Sequence, residues 1–189
     1  MRIARAVYDF VEMVIIAAVI TIVTFMFVGR LTIVDGPSMM NTLIDGEVLA
    51  VSNVGYTPQN GDIVVFQSPN SHVEGAIVKR VIATEGQTVD IDFENWLVYV
   101  DGEPLYTDDL GYPEIEPYVN YEDGRYMYQK DSDREFPYTV PEGEVFVMGD
   151  NRNHSNDSRG TDIGTIDTRY IFGKVYFRVK PLSKLGPVK

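Results

Sequence analysis

Three stretches of the sequence carry side chains able to make and break bonds. The first is DGPSMMNTL, residues 35–43, where Gly36-Pro37 forces a turn and Ser38 precedes apolar Met39 and Met40. A serine at such a turn is either a helix cap or turn former, or a nucleophile. The second is GAIVKRVIATEG, residues 75–86. In an extended strand Lys79 shares one face with Ile77 and Val81, and Arg80 shares the other with Val78 and Ile82. Both faces are then apolar, as in a strand buried on both sides. Burial depresses a lysine pKa, so Lys79 would become a neutral amine able to act as a base. Arginine keeps its proton and must find a carboxylate. The competing reading is an edge strand whose two cations face water. The third is VFVMGDNRNHSNDSRG, residues 145–160, a hydrophobic strand running into a loop dense in hydrogen-bonding groups. Such a loop is ordered by its own network or is functional. It can supply the carboxylate Arg80 needs and a hydroxyl to hold a lysine amine.

Composition narrows the chemistry further. There are no cysteines, which removes thiolate nucleophiles, disulfides and thiolate metal sites. Two histidines, His72 and His154, are too few for a histidine-rich metal centre, and no metal or cofactor is expected. A net charge of −12 argues against nucleic acid as a partner. That charge is concentrated: residues 101–144 hold 13 acids and three bases. The remainder of the chain is close to neutral.

The elements that must position these residues fall into three parts. From Phe10 to Val28 the chain is almost wholly apolar, interrupted by Glu12, Thr21 and Thr24. As a helix this stretch spans roughly 28 Å, the thickness of a bilayer core. Thr21 and Thr24 can bond back to carbonyls of the preceding turn. No small-x-small site follows it, so the expectation is an uncleaved anchor over residues 10–29 rather than a removed leader. Arg2 and Arg5 before it, against Arg30 after it, place residues 1–9 in the cytoplasm and the body outside. Residues 30–189 then form one extracytoplasmic domain. Its period is two, with strands expected at 31–34, 47–53, 62–67, 76–83, 87–92, 96–100, 144–148 and 170–179. Asp101-Gly102 signals a two-residue hairpin. The fold class is therefore mostly β: a transmembrane helix followed by a coiled, barrel-like antiparallel domain. Residues 93–140 break the pattern. Eight of the 12 tyrosines lie between Tyr99 and Tyr138 among acids and prolines, which reads as an inserted surface subdomain.

Taken in order behind a membrane anchor, GPSM with Thr42-Leu43, Lys79-Arg80 and GDNRNHSNDSR resemble the bacterial type I signal peptidases. The resemblance covers essentially the whole chain, with 93–140 as the variable insertion. It implies a membrane-bound serine endopeptidase with a Ser–Lys dyad that cuts secretory preproteins after small residues. Ser38 then resembles the nucleophile and Lys79 the general base. Ser155 looks like the hydroxyl that orients the lysine amine, Asp150 the partner of Arg80, and Asp157 with Arg159 a structural ion pair. Some relatives place an oxyanion-binding serine where this chain has Gly36, so a backbone N–H or water must serve here. Small-residue specificity implies shallow apolar subsites, with Ile33, Val34 and Met39 as their expected lining. Asn41 stands where the family usually has proline.

Two rivals remain open at this level. One is a Ser38–His154–Asp triad; the other is a non-catalytic, membrane-anchored assembly or binding factor of the same fold. The dyad predicts that His154→Ala retains cleavage activity while Lys79→Ala loses it. The opposite pattern in a peptide-cleavage assay would install histidine as the base.

Overall fold

The computed structural model describes residues 2–40, 42–69, 75–105, 127, 129–130 and 134–188. His72, Asn41 and most of the acidic segment lie outside the described residues. The chain opens with helix α1, Arg2–Val28. Its side chains at positions 7–21 are exposed on every side, including Phe10, Val14, Ile15 and Ile20. The Thr21 hydroxyl donates to the Ala17 carbonyl at 2.8 Å, the back-bonding that an apolar surrounding favours. Among the described residues no helix is long and apolar enough to cross a membrane.

The body is mostly β and antiparallel. Strands β1 (Arg30–Ile33), β2 (Val48–Ser52), β3 (Ile63–Phe66), β4 (Ile77–Thr84), β9 (Glu144–Met148), β10 (Ile166–Asp167) and β11 (Ile171–Lys180) form one curled sheet. Its order is β1-β2-β11-β3-β4-β9-β10, with β12 (Gly186–Pro187) alongside β11. Register shifts in β4 and β11 mark bulges, which bend strands and increase local twist. A second sheet runs β7-β6-β5-β8, using β5 (Thr88–Asp92), β6 (Leu97–Val100), β7 (Glu103–Pro104) and β8 (Tyr138–Thr139). Asp101 and Gly102 both adopt positive φ between β6 and β7, as a tight hairpin of primed type requires.

All eight strands expected from the alternation are present within about two residues. The four that escaped it, β7, β8, β10 and β12, are two residues long, too short to show a period. Residues 97–104 and 138–139, inside the expected insertion, join β5 in the second sheet. That sheet packs over Ile82, Phe146 and Met148 and encloses Met127.

The strand that matters most is β4. It pairs with β3 on one side and β9 on the other, and residues 77–83 are all buried. Ile77 and Val81 join one core cluster with Val64, Phe66 and Val147. On the opposite face Val78 and Ile82 enter two others. An interior strand with apolar neighbours on both faces leaves its two cations almost no surface in contact with water: 4% for Lys79 and none for Arg80. The edge-strand alternative for Lys79 and Arg80 is thereby removed.

Candidate active site

Arg80 has no exposed surface, and Asp150 is 1% exposed. The guanidinium grips the carboxylate with both prongs: Nε donates to Oδ1 at 2.9 Å and Nη2 to Oδ2 at 2.8 Å. Nη1 donates to the Gly61 carbonyl at 2.7 Å. Thr42 adds its hydroxyl to Asp150 Oδ2. The cost of dehydrating both ions is large, and bidentate geometry with further donors is what offsets it. This pair joins β4 to the start of the polar loop and to the turn that follows Ser38.

One residue back, Lys79 points to the other side of the strand. It is 4% exposed, and its Nζ donates to Ser38 Oγ at 2.7 Å and to the Val78 carbonyl at 3.0 Å. Burial is the dominant influence on the amine and pulls its pKa down from the ordinary lysine value to about 8. Asp157 and Asp150 pull in the opposite direction, and Arg159 reinforces the lowering. Each of those carboxylates is already matched to an arginine, so dehydration wins over their attraction.

The polar loop is held by a second internal pair. Arg159 donates from Nε and Nη2 to the two oxygens of Asp157 at 2.8 and 2.9 Å. Asp157 also accepts the Gly149 N–H at 3.0 Å. Burial would raise this carboxyl's pKa, but Arg159 and the surrounding donors outweigh it and hold the value at about 2. Ser158 fastens the loop to β9, accepting from Val147 N through its hydroxyl and donating its own N–H to the Val147 carbonyl.

Asn151 had no role in the sequence reading, yet it clamps the turn around Ser38. Its backbone N–H donates to the Ser38 carbonyl and its side-chain amide to the Pro37 carbonyl, both at 3.0 Å. Gly36 takes φ +85°, where an L side chain would be strained, and donates its N–H to Asp45 at 2.8 Å. The Ser38 N–H is left without a partner among the described residues, free for an incoming acceptor.

Ser155 is buried beside this cluster, with its hydroxyl close enough to Asp157 to favour the carboxylate. It makes no hydrogen bond of regular geometry, and the lysine amine is bonded elsewhere. Gly149 explains the tight fit. A Cβ there would collide with the Ser155 hydroxyl and the Ser38 carbonyl, so only glycine lets the two segments meet. His154 lies on a short 3-10 turn, Arg152–His154, with its side chain exposed. No hydrogen bond joins it to Ser38 among the described residues.

Ser38 and Lys79 open into a cavity of about 210 Å³ lined by Val34, Asp35, Met39, Ala76, Ile77, Val78, Asn156 and Ile163. Two of the three expected lining residues, Val34 and Met39, are among them. Ile33 is not: it sits on β1 with 67% of its surface exposed. Ile77, Val78 and Ile163 supply the apolar surface that the sequence reading did not identify. The arrangement as a whole is a hydroxyl in contact with a buried amine, next to a small, mainly apolar cavity. That is the equipment for nucleophilic attack on a carbonyl flanked by a small side chain.

Residues 7–180 match the model of the family described as signal peptidase, peptidase S26. The chain is similar to a probable signal peptidase I-1 from Synechocystis sp. (strain ATCC 27184 / PCC 6803 / Kazusa), at 37% identity over 93% of this chain and 84% of that relative. It is also similar to a signal peptidase IB from Staphylococcus aureus (strain COL), at 32% identity over 95% of this chain and 93% of that one. A crystal structure of a signal peptidase I from Enterococcus faecalis V583 is 28% identical and superposes with a TM-score of 0.44, covering 63% of this chain and 97% of its own.

The buried Arg80–Asp150 pair generates a stability prediction. Asp150→Ala leaves an uncompensated guanidinium in the interior and is expected to cost about 3–5 kcal/mol in denaturant unfolding. A loss below about 1 kcal/mol, the range of exposed ion pairs, would contradict the buried bidentate geometry.

Proposed function

The chain belongs to the signal peptidase family, peptidase S26, and from that membership together with the geometry around Ser38 we infer how it works. It is a serine endopeptidase that removes signal peptides from exported preproteins. The observation that carries the mechanistic reading is the 2.7 Å contact between Lys79 Nζ and Ser38 Oγ inside a dehydrated pocket.

With a pKa of about 8, about a tenth of Lys79 is neutral at pH 7. In that form the contact reverses: the Ser38 hydroxyl donates to the amine lone pair. As Ser38 Oγ attacks the scissile carbonyl, its proton passes to Lys79 and a tetrahedral intermediate forms. The Ser38 N–H stabilises the developing oxyanion. Gly36 contributes no hydroxyl, and its N–H is occupied by Asp45. The lysine ammonium then protonates the departing amine, leaving the signal peptide esterified to Ser38. Water, losing its proton to Lys79, hydrolyses that ester and restores the enzyme. Arg80 with Asp150 and Arg159 with Asp157 support the site without reacting, and Ser155 stands against the Asp157 carboxylate beside them. The small substrate residue before the cut occupies the cavity bounded by Val34, Met39, Ile77 and Ile163.

The same reading places residues 10–29 in a lipid bilayer, residues 1–9 in the cytoplasm, and residues 30–189 on the far side. Its support is the run of apolar residues from Phe10 to Val28 and the exposure of the described α1 side chains on all sides. A helix apolar all round needs either a protein core or lipid to cover it. No observation favours a non-catalytic assembly factor.

The test is a preprotein carrying Ala-x-Ala before its mature start, incubated with the full chain in detergent. Wild type is expected to cut after the second alanine, and Ser38→Ala to lose about 10⁴-fold or more. The kcat/KM should rise with pH through about 8, because the active form is the one in which Lys79 has lost its proton. A rise centred near 6.5 would point to histidine instead. Undiminished cleavage by Ser38→Ala would overturn the assignment.

A further inference from the structure

The loop that holds Ser155 is not secured by its own hydrogen bonds alone. Ser155 ends the 3-10 turn Arg152–His154 in extended conformation, outside any strand ladder. Its side chain and the Ser38 carbonyl both close on the Gly149 backbone, where an added Cβ would meet each of them, so Ser155 and the backbone of Ser38 pack against one point. The Ser155 carbonyl accepts a hydrogen bond from Lys130 Nζ at 2.7 Å, in a partly buried setting. A bond from an ammonium to a carbonyl is charge-assisted and stronger than a neutral one.

Lys130 comes from the far end of the acidic, tyrosine-rich segment, 25 residues before Ser155. It is flanked by two further attachments. Met127 is fully buried in the core cluster that contains Phe146 and Met148, directly below the start of the polar loop. On the other side, the Arg134 N–H donates to the Arg159 carbonyl at 2.8 Å. Met127, Lys130 and Arg134 are thus each fastened to the body, the last two to Ser155 and Arg159. Between those residues lies Asp157.

We propose that Lys130 is a positioning residue for the reaction at Ser38, acting by holding the Ser155 carbonyl, and that the end of the acidic segment straps the polar loop of the site. This inference rests on the Ser38–Lys79 reading of the site. It gives a segment that looked like surface embellishment a part in catalysis. The work is done by one cation in a stretch dominated by acids. Lys130 holds the Ser155 carbonyl, so its proposed effect on the reaction is through geometry.

The experiment compares wild type, Lys130→Met and Lys130→Arg as full chains in detergent, cleaving the same Ala-x-Ala preprotein, with kcat, KM, pH profile and thermal midpoint measured for each. Lys130→Met is expected to lose about tenfold in kcat at the pH plateau, the scale of a sub-ångström misplacement of reacting groups. Its KM should stay within about twofold, since the cavity is untouched. The pH midpoint should not move. Lys130→Arg retains a cationic donor and should recover most of the lost kcat. Wild-type kcat in Lys130→Met would overturn the proposal. So would a kcat loss that arginine does not rescue and that is matched by a fall in thermal midpoint, because that marks a purely structural role. Undiminished cleavage by Ser38→Ala in the same assay would instead remove the reading of the site, and this inference with it.

Discussion

Two adjacent cations on a strand in the interior of a sheet pose an electrostatic problem that shapes the rest of this protein. β4 is covered by β3 and β9 at its edges and by apolar clusters on both faces. Both Lys79 and Arg80 are almost fully dehydrated, and the two side chains resolve that in opposite ways. Arginine stays charged and requires a matching anion, so Asp150 is brought from the end of β9 and Gly61 and Thr42 complete the set. Lysine can shed its proton, and burial lowers its pKa to about 8. The ion pair ties elements together; the amine, on the proposed reading, supplies the reactivity.

The loop after β9 serves both solutions. Asp150 at its start satisfies Arg80, and Asn151 next to it grips the carbonyls on either side of the nucleophile's peptide unit. Farther along, Asp157 is neutralised by Arg159. That pairing matters for Lys79 because an unmatched carboxylate nearby would favour the ammonium and keep the base protonated. Buried charges near the amine occur as opposite-sign couples, so the field they exert on it is modest and dehydration decides its state. The small cavity beside Ser38 and Lys79 opens on the side of Ile77 and Ile163.

Much of this was legible in the residues. Alternation located the eight longer strands, whereas the apolar residues flanking Lys79 and Arg80 left burial and a water-facing edge strand both open until the sheet order decided between them. The turn at Gly36-Pro37 and the polar density of 149–160 marked the other two parts of the site. What the sequence withheld depends on contacts between distant segments. Nothing local to Asn151 indicates that it will meet Pro37 and Ser38, 114 positions away in the first case. Thr42, Gly61 and Ile163 acquire their roles only through the sheet order. Ile33, expected beside Val34 and Met39, lies exposed on β1 and outside the cavity lining. The two-residue strands fall below the length at which periodicity has meaning.

The central claim is that burial leaves the Lys79 amine close to neutrality at physiological pH while it touches Ser38. Its most direct test is the titration of that single amine, followed by nuclear magnetic resonance of isotope-labelled lysine Nζ and Cε in the folded chain, with Lys79→Met identifying the signal. A midpoint near 8, well below the other lysines, is the expected result. A midpoint at the ordinary lysine value of about 10.4 would contradict the account, since the amine would then be a fully charged ammonium unable to take the proton of Ser38.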